Sequence, residues 1–269
     1  MNIPGRHGKN SLSFAVQVLN HAAKGPLLVA LVLMTGIGPA PGQAPGIIDP
    51  FGSNSELYHR ANRYYSYGND SRDIDDKRRA YQMSIPLFRE YLATGPQGDL
   101  VQQASYQLGM ALLLTGEREA AERAFTTIIT RYKKGKWVAL SAYRQAAQLY
   151  NRKEWMQAVP YFTITGREAI DKELAHKAIF YESRCLQMAG RTEQAIKRLG
   201  DIVEDNGNPY RDYARLAMGE LYARQGKHED ALKHFERLLT PAVAPQERAQ
   251  ALLAAGVSAA RLGQQVKAE

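Results

Sequence analysis

Small residues recur in this chain at a fixed interval within apolar helical stretches. Gly109, Ala146, Ser183, Gly219 and Gly256 are separated by 37, 37, 36 and 37 residues. A second series keeps step with them: Ala121, Ala158, Ala195 and Ala231, each followed four residues on by Phe125, Phe162, Leu199 and Phe235. Apolar positions three and four apart mark one face of a helix. On that pattern Leu100–Leu114 pairs with Arg118–Tyr132, Trp137–Tyr150 with Glu154–Arg167, Leu174–Met188 with Thr192–Glu204, and Tyr210–Arg224 with His228–Leu239. A period in this range is that of stacked helical hairpins, none of which buries its apolar face alone. An all-α solenoid over 53–269 is predicted, with full repeats over about 100–245 and a partial one over 246–269.

Glycine punctuates the hairpins. Gly116, Gly190, Gly226 and Gly263 stand where a first helix should end in the left-handed conformation that glycine tolerates; the second full unit lacks one, and Asn151 is the expected substitute. Pro86 and Pro160 fall two residues past the small residue of their second helices, where each removes a helical hydrogen bond. A degenerate first hairpin is expected over 53–95. Ser53-Asn54-Ser55-Glu56 supplies N-cap residues for a helix from Leu57 to Tyr67. A polar insertion from Gly68 to Asp76 should separate it from a helix from Arg79 to Ala93, in which Ser84, Phe88 and Tyr91 precede Ala121, Phe125 and Ile128 by 37 residues.

The N-terminal segment reads differently. Arg6, Lys9 and Lys24 precede Leu27–Ile37, an apolar run bounded by Gly25-Pro26 and Gly38-Pro39. Eleven helical residues rise about 16 Å, roughly half of a hydrocarbon core. The run therefore suits the apolar region of a signal peptide over 1–42. Cleavage after Gly42 puts Ala40 three residues before the cut, whereas cleavage after Ala44 leaves Pro45 as the first mature residue. The long basic stretch before the run keeps an uncleaved anchor open as the alternative. No cysteine lies near the cut to carry a lipid. Residues 43–52 read as a Pro/Gly-rich tether.

Composition adds little chemistry. The 269 residues carry a formal net charge of +8; without the three basic leader residues, 32 basic side chains face 27 acidic ones. That is a mild excess, and nucleic acid is not an expected partner. The single cysteine, Cys185, excludes an internal disulfide and is expected half-buried beside Leu186. His59, His176, His228 and His234 have no metal-binding spacing and are read as exposed or capping. The acidic group Asp70, Asp73, Asp75 and Asp76 lacks the central glycine and final glutamate of a calcium loop, and reads as a solvated insertion. Arg131, Lys133, Lys134 and Lys136 with Trp137 form the densest basic cluster, open to anionic lipid or glycan but in a turn where charge is ordinarily solvated. No nucleophile–base arrangement, phosphate loop or paired carboxylates appear. No enzyme activity, metal or cofactor is expected.

These residues resemble the tetratricopeptide repeat family. Its pattern is a bulky residue followed by a small one, a bulky residue three further on, a glycine, an alanine, and an aromatic four residues after that. Leu108-Gly109, Leu112, Gly116, Ala121 and Phe125 match it, as do Met218-Gly219, Tyr222, Gly226, Ala231 and Phe235. The third full unit departs, with Glu182-Ser183 and Leu199. The resemblance implies a right-handed solenoid. Periods of 36 and 37 residues look like those of periplasmic members serving β-barrel assembly or the Tol–Pal system. Those members often join repeats with Tyr-Pro-x-Ser, where Tyr132-Lys133-Lys134-Gly135 stands here.

The resemblance also implies a ligand groove lined by first helices. Carried onto this chain, it names Tyr106, Met110, Tyr143, Tyr150, Lys177, Phe180, Arg184, Tyr213 and Arg224, with Gln103, Asn151, Gln187 and Glu220 beside them. Aromatic and basic groups together suit an extended peptide. The competing expectation is that Tyr106, Tyr143 and Phe180 pack between neighbouring helices. Tyr106 and Met110 occupy positions where the family's carboxylate clamp needs lysine and asparagine, so that variety is not expected. The function expected is an exported scaffold in the periplasm or secreted, binding a protein or peptide. Membrane contact would come only through an uncleaved leader. The alternatives are a membrane-anchored translocon or chaperone accessory and the N-terminal half of a larger envelope enzyme.

Overall fold

The computed structural model describes residues 53–268. The predicted signal peptide over 1–42 and tether over 43–52 lie outside the described residues. Within them the chain forms helices α1 (Ser53–Asp70), α2 (Ile74–Ala93), α3 (Asp99–Thr115), α4 (Arg118–Tyr132), α5 (Lys136–Asn151), α6 (Trp155–Glu168), α7 (Lys172–Met188), α8 (Thr192–Glu204), α9 (Arg211–Arg224), α10 (His228–Glu236) and α11 (Pro245–Ala268). Each helix packs on the next, and first helices also touch across repeats, as α3 does α5 and α9 does α11. The core runs along the stack instead of closing around one centre.

The hairpin register follows the small-and-large pairing in the sequence. Phe88, Phe125, Phe162, Leu199 and Phe235, one from each second helix, have at most 1% of their surface exposed. A Cβ added at Gly109 would lie 2.6 Å from Phe125 Cε1, and one at Gly219 would lie 2.7 Å from Phe235 Cζ. Glycine is thus required there by a phenyl ring lying on the helix backbone. The third unit solves the same problem differently. Ser183 leaves less room, and the smaller Leu199 fills it without a ring. Glu182, where the matching units carry Leu108 and Met218, is buried and pairs with Arg198 of α8 at 2.9 Å. Arg198 also reaches Asp201 at 2.8 Å.

The first-helix ends share one motif. The amide of Glu117 donates to Leu112 O, Glu154 to Leu149 O, Arg191 to Leu186 O and Lys227 to Tyr222 O, at 2.8–3.0 Å. The residue before each donor is left-handed: Gly116, Lys153, Gly190 and Gly226. Asn151, expected in that role, remains helical at the end of α5. The left-handed residue is set four positions after the carbonyl that closes the motif, and Asn151 comes two residues too early. Lys153 takes the strain at a φ of 62°, a cost of about 1 kcal/mol for a residue with a Cβ.

Other expectations change at the two ends. The polar segment from Gly68 to Asp76 is no long insertion: α1 runs to Asp70 and only three residues precede α2. Asp73 caps α2, its Oδ1 accepting from the amides of Asp75 at 2.9 Å and Asp76 at 2.8 Å. Gly68 stays helical and lets the Tyr81 ring approach, 2.8 Å from where its Cβ would stand. Helix α10 ends at Glu236, not Leu239, and Leu238 and Leu239 continue as tight turns bonded to Phe235 O and Glu236 O. Pro241 disfavours helical geometry at Thr240. Gly263 ends no first helix, because α11 continues through it. With no following helix among the described residues, Gly256 meets nothing within 4 Å and Leu252, Leu253 and Val257 are exposed.

Several single residues also settle. Pro86 and Pro160 lie on exposed faces of α2 and α6, where water can satisfy the carbonyls left without a donor. Cys185 is fully buried, beyond the half-burial expected, and burial pushes its thiol up to about 12. His176 Nε2 lies 2.8 Å from an Asp205 carboxylate oxygen, and His234 stacks on Tyr222 at 5.5 Å. No described helix is long and apolar enough to cross a membrane.

Candidate functional site

The groove positions divide by burial. Tyr106 sits in the core, its ring 5.3 Å from Trp137 and 6.0 Å from Phe125, and its hydroxyl accepts from Arg144 Nε at 3.2 Å. Tyr143 is 3% exposed and packs edge-on to Phe162 at 6.1 Å; burial holds its phenol well above the usual tyrosine value. Met110 is buried as well. These three side chains offer a ligand almost no surface, which is the packing alternative for Tyr106 and Tyr143. Phe180, 9% exposed, is buried too and offers a ligand only its edge on the pocket described below. Gln103 and Gln187 are half-buried, while Asn151, Glu220 and Arg224 are exposed. Arg224 is the last residue of α9, about three turns along the helix from Tyr213.

A second group converges. Helix α7 carries Lys177, Phe180 and Arg184 three and four residues apart, so one face presents all three. The Arg184 guanidinium carbon stands 5.9 Å from the Phe180 ring centre and 5.7 Å from that of Tyr213 on α9. Its field also reaches Tyr150 on α5: burial raises the phenols of Tyr150 and Tyr213, and Arg184 opposes the rise in both. One half-buried cation thus contacts rings on two successive first helices and acts electrostatically on a third. Tyr150 is held by edge contacts to Trp155 at 5.0 Å and Tyr181 at 5.1 Å. Lys177 lies along the helix with its side chain only 12% exposed and its Nζ 3.8 Å from Glu173, which limits its reach to a ligand.

Beside this cluster opens a pocket of about 300 Å³. Phe180 and Tyr213 form one side, and Pro209 and Tyr210 contribute from the α8–α9 loop. Val243 and Ala244 close it from the segment before α11, while Asp212 and Glu247 supply its only charges. The loop is built to place Tyr210. Asn208 Oδ1 accepts from the Tyr210 amide at 3.0 Å, and Arg211 Nε donates to Val203 O at 2.9 Å. Tyr210 then stacks on Phe180, with ring centres 4.3 Å apart and planes at 22°. Asp212 faces Arg215 at 3.5 Å, whereas Glu247 has no ion pair with another described residue.

Sequence reasoning named Phe180, Arg184 and Tyr213 but missed Tyr210, Asp212 and Glu247. Groove residues were carried over at a few fixed repeat positions, none of which falls on these three, and Tyr210, expected to open a first helix, stands just before α9 instead. The available signal was an aromatic directly before a first helix, reached by a Pro-Tyr step after a polar turn. The basic turn at 131–137 is a different kind of surface. There Lys133 adopts a φ of 62°, Lys136 Nζ lies 5.0 Å over Trp137, and Glu168 accepts from the Gly135 amide at 3.1 Å. The Arg167 guanidinium and that amide hold the Glu168 carboxyl below the usual carboxylate range.

Two segments, residues 103–135 and 213–240, match the tetratricopeptide repeat family. They correspond to α3–α4 and to α9 with α10, the two hairpins in which a phenyl ring lies on a glycine. Those two hairpins are the part of the chain that the tetratricopeptide repeat pattern describes. Among solved structures the chain is similar to MamA from Desulfovibrio magneticus RS-1 (residues 41 to the end), with 18% identity and a TM-score of 0.47 over 69% of this chain and 93% of that one. It is also similar to YrrB, described as a TPR protein with an unusual peptide-binding site, with 16% identity and a TM-score of 0.49 over 76% of this chain and 97% of that one. No curated protein matches the chain.

Proposed function

We propose that this protein is an exported, non-catalytic scaffold of the cell envelope that holds an extended protein or peptide segment against its first-helix face. The observation that carries the reading is Arg184, a half-buried cation set among Tyr150, Phe180 and Tyr213 from three consecutive first helices. Rigid rings supply contact area at small entropic cost, and a fixed guanidinium meets a carboxylate or backbone carbonyl. Replacing Arg184 by Ala should lower capture of the partner segment at least about tenfold, equivalent to 1.4 kcal/mol. Circular dichroism should show the helices unchanged. Capture that survives Arg184→Ala but is lost on neutralising Lys133, Lys134 and Lys136 moves the site to the basic turn and ends the groove reading.

Export rests on the basic residues before the eleven-residue run Leu27–Ile37 and on Ala40 and Gly42 beyond it. N-terminal sequencing of protein from envelope extracts should find Gln43 as the first residue. Chain retaining Met1 and released only by detergent would instead make this a membrane-anchored scaffold facing the same compartment.

A further inference from the structure

We propose that the pocket between α7, α9 and the start of α11 takes a cationic side chain, lysine or arginine, from the bound peptide. This assignment rests on the groove reading above and names the anchor of the ligand. Three observations carry it. Both charged residues lining the pocket, Asp212 and Glu247, are acidic, and no lysine, arginine or histidine lines it. Phe180, Tyr210 and Tyr213 supply three ring systems, and ring faces attract cations through their quadrupoles. Two of those rings already hold a cation in this chain, since Arg184 stands over Phe180 and Tyr213.

The dimensions agree. A volume of about 300 Å³ lies at the small end of ligand pockets, enough for one long side chain and its hydration. The apolar stem of a lysine or arginine would lie along Pro209, Val243 and Ala244 while its head meets the carboxylates, the division such side chains favour. Asp212 shares its charge with Arg215 at 3.5 Å; Glu247, half-buried and without an ion pair to another described residue, is the carboxylate a ligand would engage first. Arg184 next to the pocket would meet a carbonyl or acidic group on the same peptide. The groove therefore reads a basic residue beside a hydrogen-bond acceptor.

The test uses the full chain. A random-peptide library is selected on it, and the recovered peptides are measured against three variants: Arg184→Ala, Glu247→Gln, and the pair Asp212→Asn with Glu247→Gln. The expected result is a shared lysine or arginine in the recovered peptides. Its replacement by norleucine should weaken binding at least about tenfold, and the acidic pair should lose a similar factor. Glu247→Gln alone preserves the test should the pair disturb the Arg215 contact. Peptides that depend on Arg184 yet share no basic residue, or ignore both acidic changes, overturn the pocket assignment and leave the groove reading standing. Should no peptide be recovered, the groove reading falls, and the pocket is decided by titrating N-acetyl-arginine amide, N-acetyl-lysine amide and N-acetyl-norleucine amide while following the Phe180 and Tyr213 ring signals by NMR. Shifts from the cationic amides alone support the pocket; equal or absent shifts overturn it.

Discussion

Replacing Gly219 by leucine should destabilise the protein by about 1–3 kcal/mol, as forcing atoms into a packed interior does. The cause is local and large. The Phe235 ring lies on the α9 backbone, so that even a first methyl at residue 219 would fall 2.7 Å from Cζ and 2.8 Å from Cδ1. Phe235 is fully buried and has no free direction in which to turn. The second full repeat shows how far the fold can adapt, since Ala146 there shares its hairpin with Phe162 in a core of its own. One methyl can be absorbed by opening a hairpin; a whole isobutyl group cannot. Thermal unfolding followed by circular dichroism should show a fall of about 2–4 °C for each kcal/mol in a chain of this size. Adding Phe235→Leu to Gly219→Ser should regain most of the loss of the single serine variant, because it reproduces the Ser183 and Leu199 pairing. A midpoint unmoved by Gly219→Leu would mean that the ring does not rest on the glycine.

Arg198→Ala should cost about 3 kcal/mol, the low end of what breaking a buried ion pair costs. Glu182, its side chain only 9% exposed, would lose the guanidinium that contacts it at 2.9 Å and 3.0 Å. The low end applies because the Arg198 side chain is itself 25% exposed, so water can partly replace it. Most of the penalty belongs to the stranded carboxylate, not to the lost attraction. Changing Glu182 to methionine in the same chain should therefore restore much of the stability and return the hairpin to the apolar pattern of its neighbours. Urea unfolding of the two single variants and the double variant gives the coupling directly. Losses that simply add would show that the pair contributes nothing as a pair.

Both effects bear on the candidate site, the first through α9, which carries Tyr213, and the second through α7. Glu182 locks α7 to α8 through Arg198, and Phe180 and Arg184 stand on the same helix, each two residues from Glu182. Loosening the hairpin would therefore shift the rings that Tyr210 and Tyr213 pack against. The Arg184→Ala and Glu247→Gln changes lie outside that core and should leave the fold near its starting stability, as substitutions away from buried features typically do, within about 0.5 kcal/mol.

The repeat itself was written in the amino-acid order. Small residues 36 and 37 apart, four of them matched by an alanine and a large apolar residue in the next helix, determined four of the hairpin contacts, because helix geometry converts that spacing into one buried face. Gly116, Gly190 and Gly226 marked three of four first-helix ends, since few other residues accept their backbone angles. The fourth end was decided by the closing carbonyl of Leu149, which put Lys153 in the left-handed position and left Asn151 helical. Spacing along one helix says which way a side chain points, but not how completely the neighbouring repeat covers it. Tyr143 and Tyr150 share a helix and a groove assignment, yet one is sealed against Phe162 and the other stands half-open beside Arg184. The pocket was hidden for the same reason. Its walls come from α7, the α8–α9 loop and the start of α11, segments dozens of residues apart that only the stacking of three repeats brings within one side chain's length of each other.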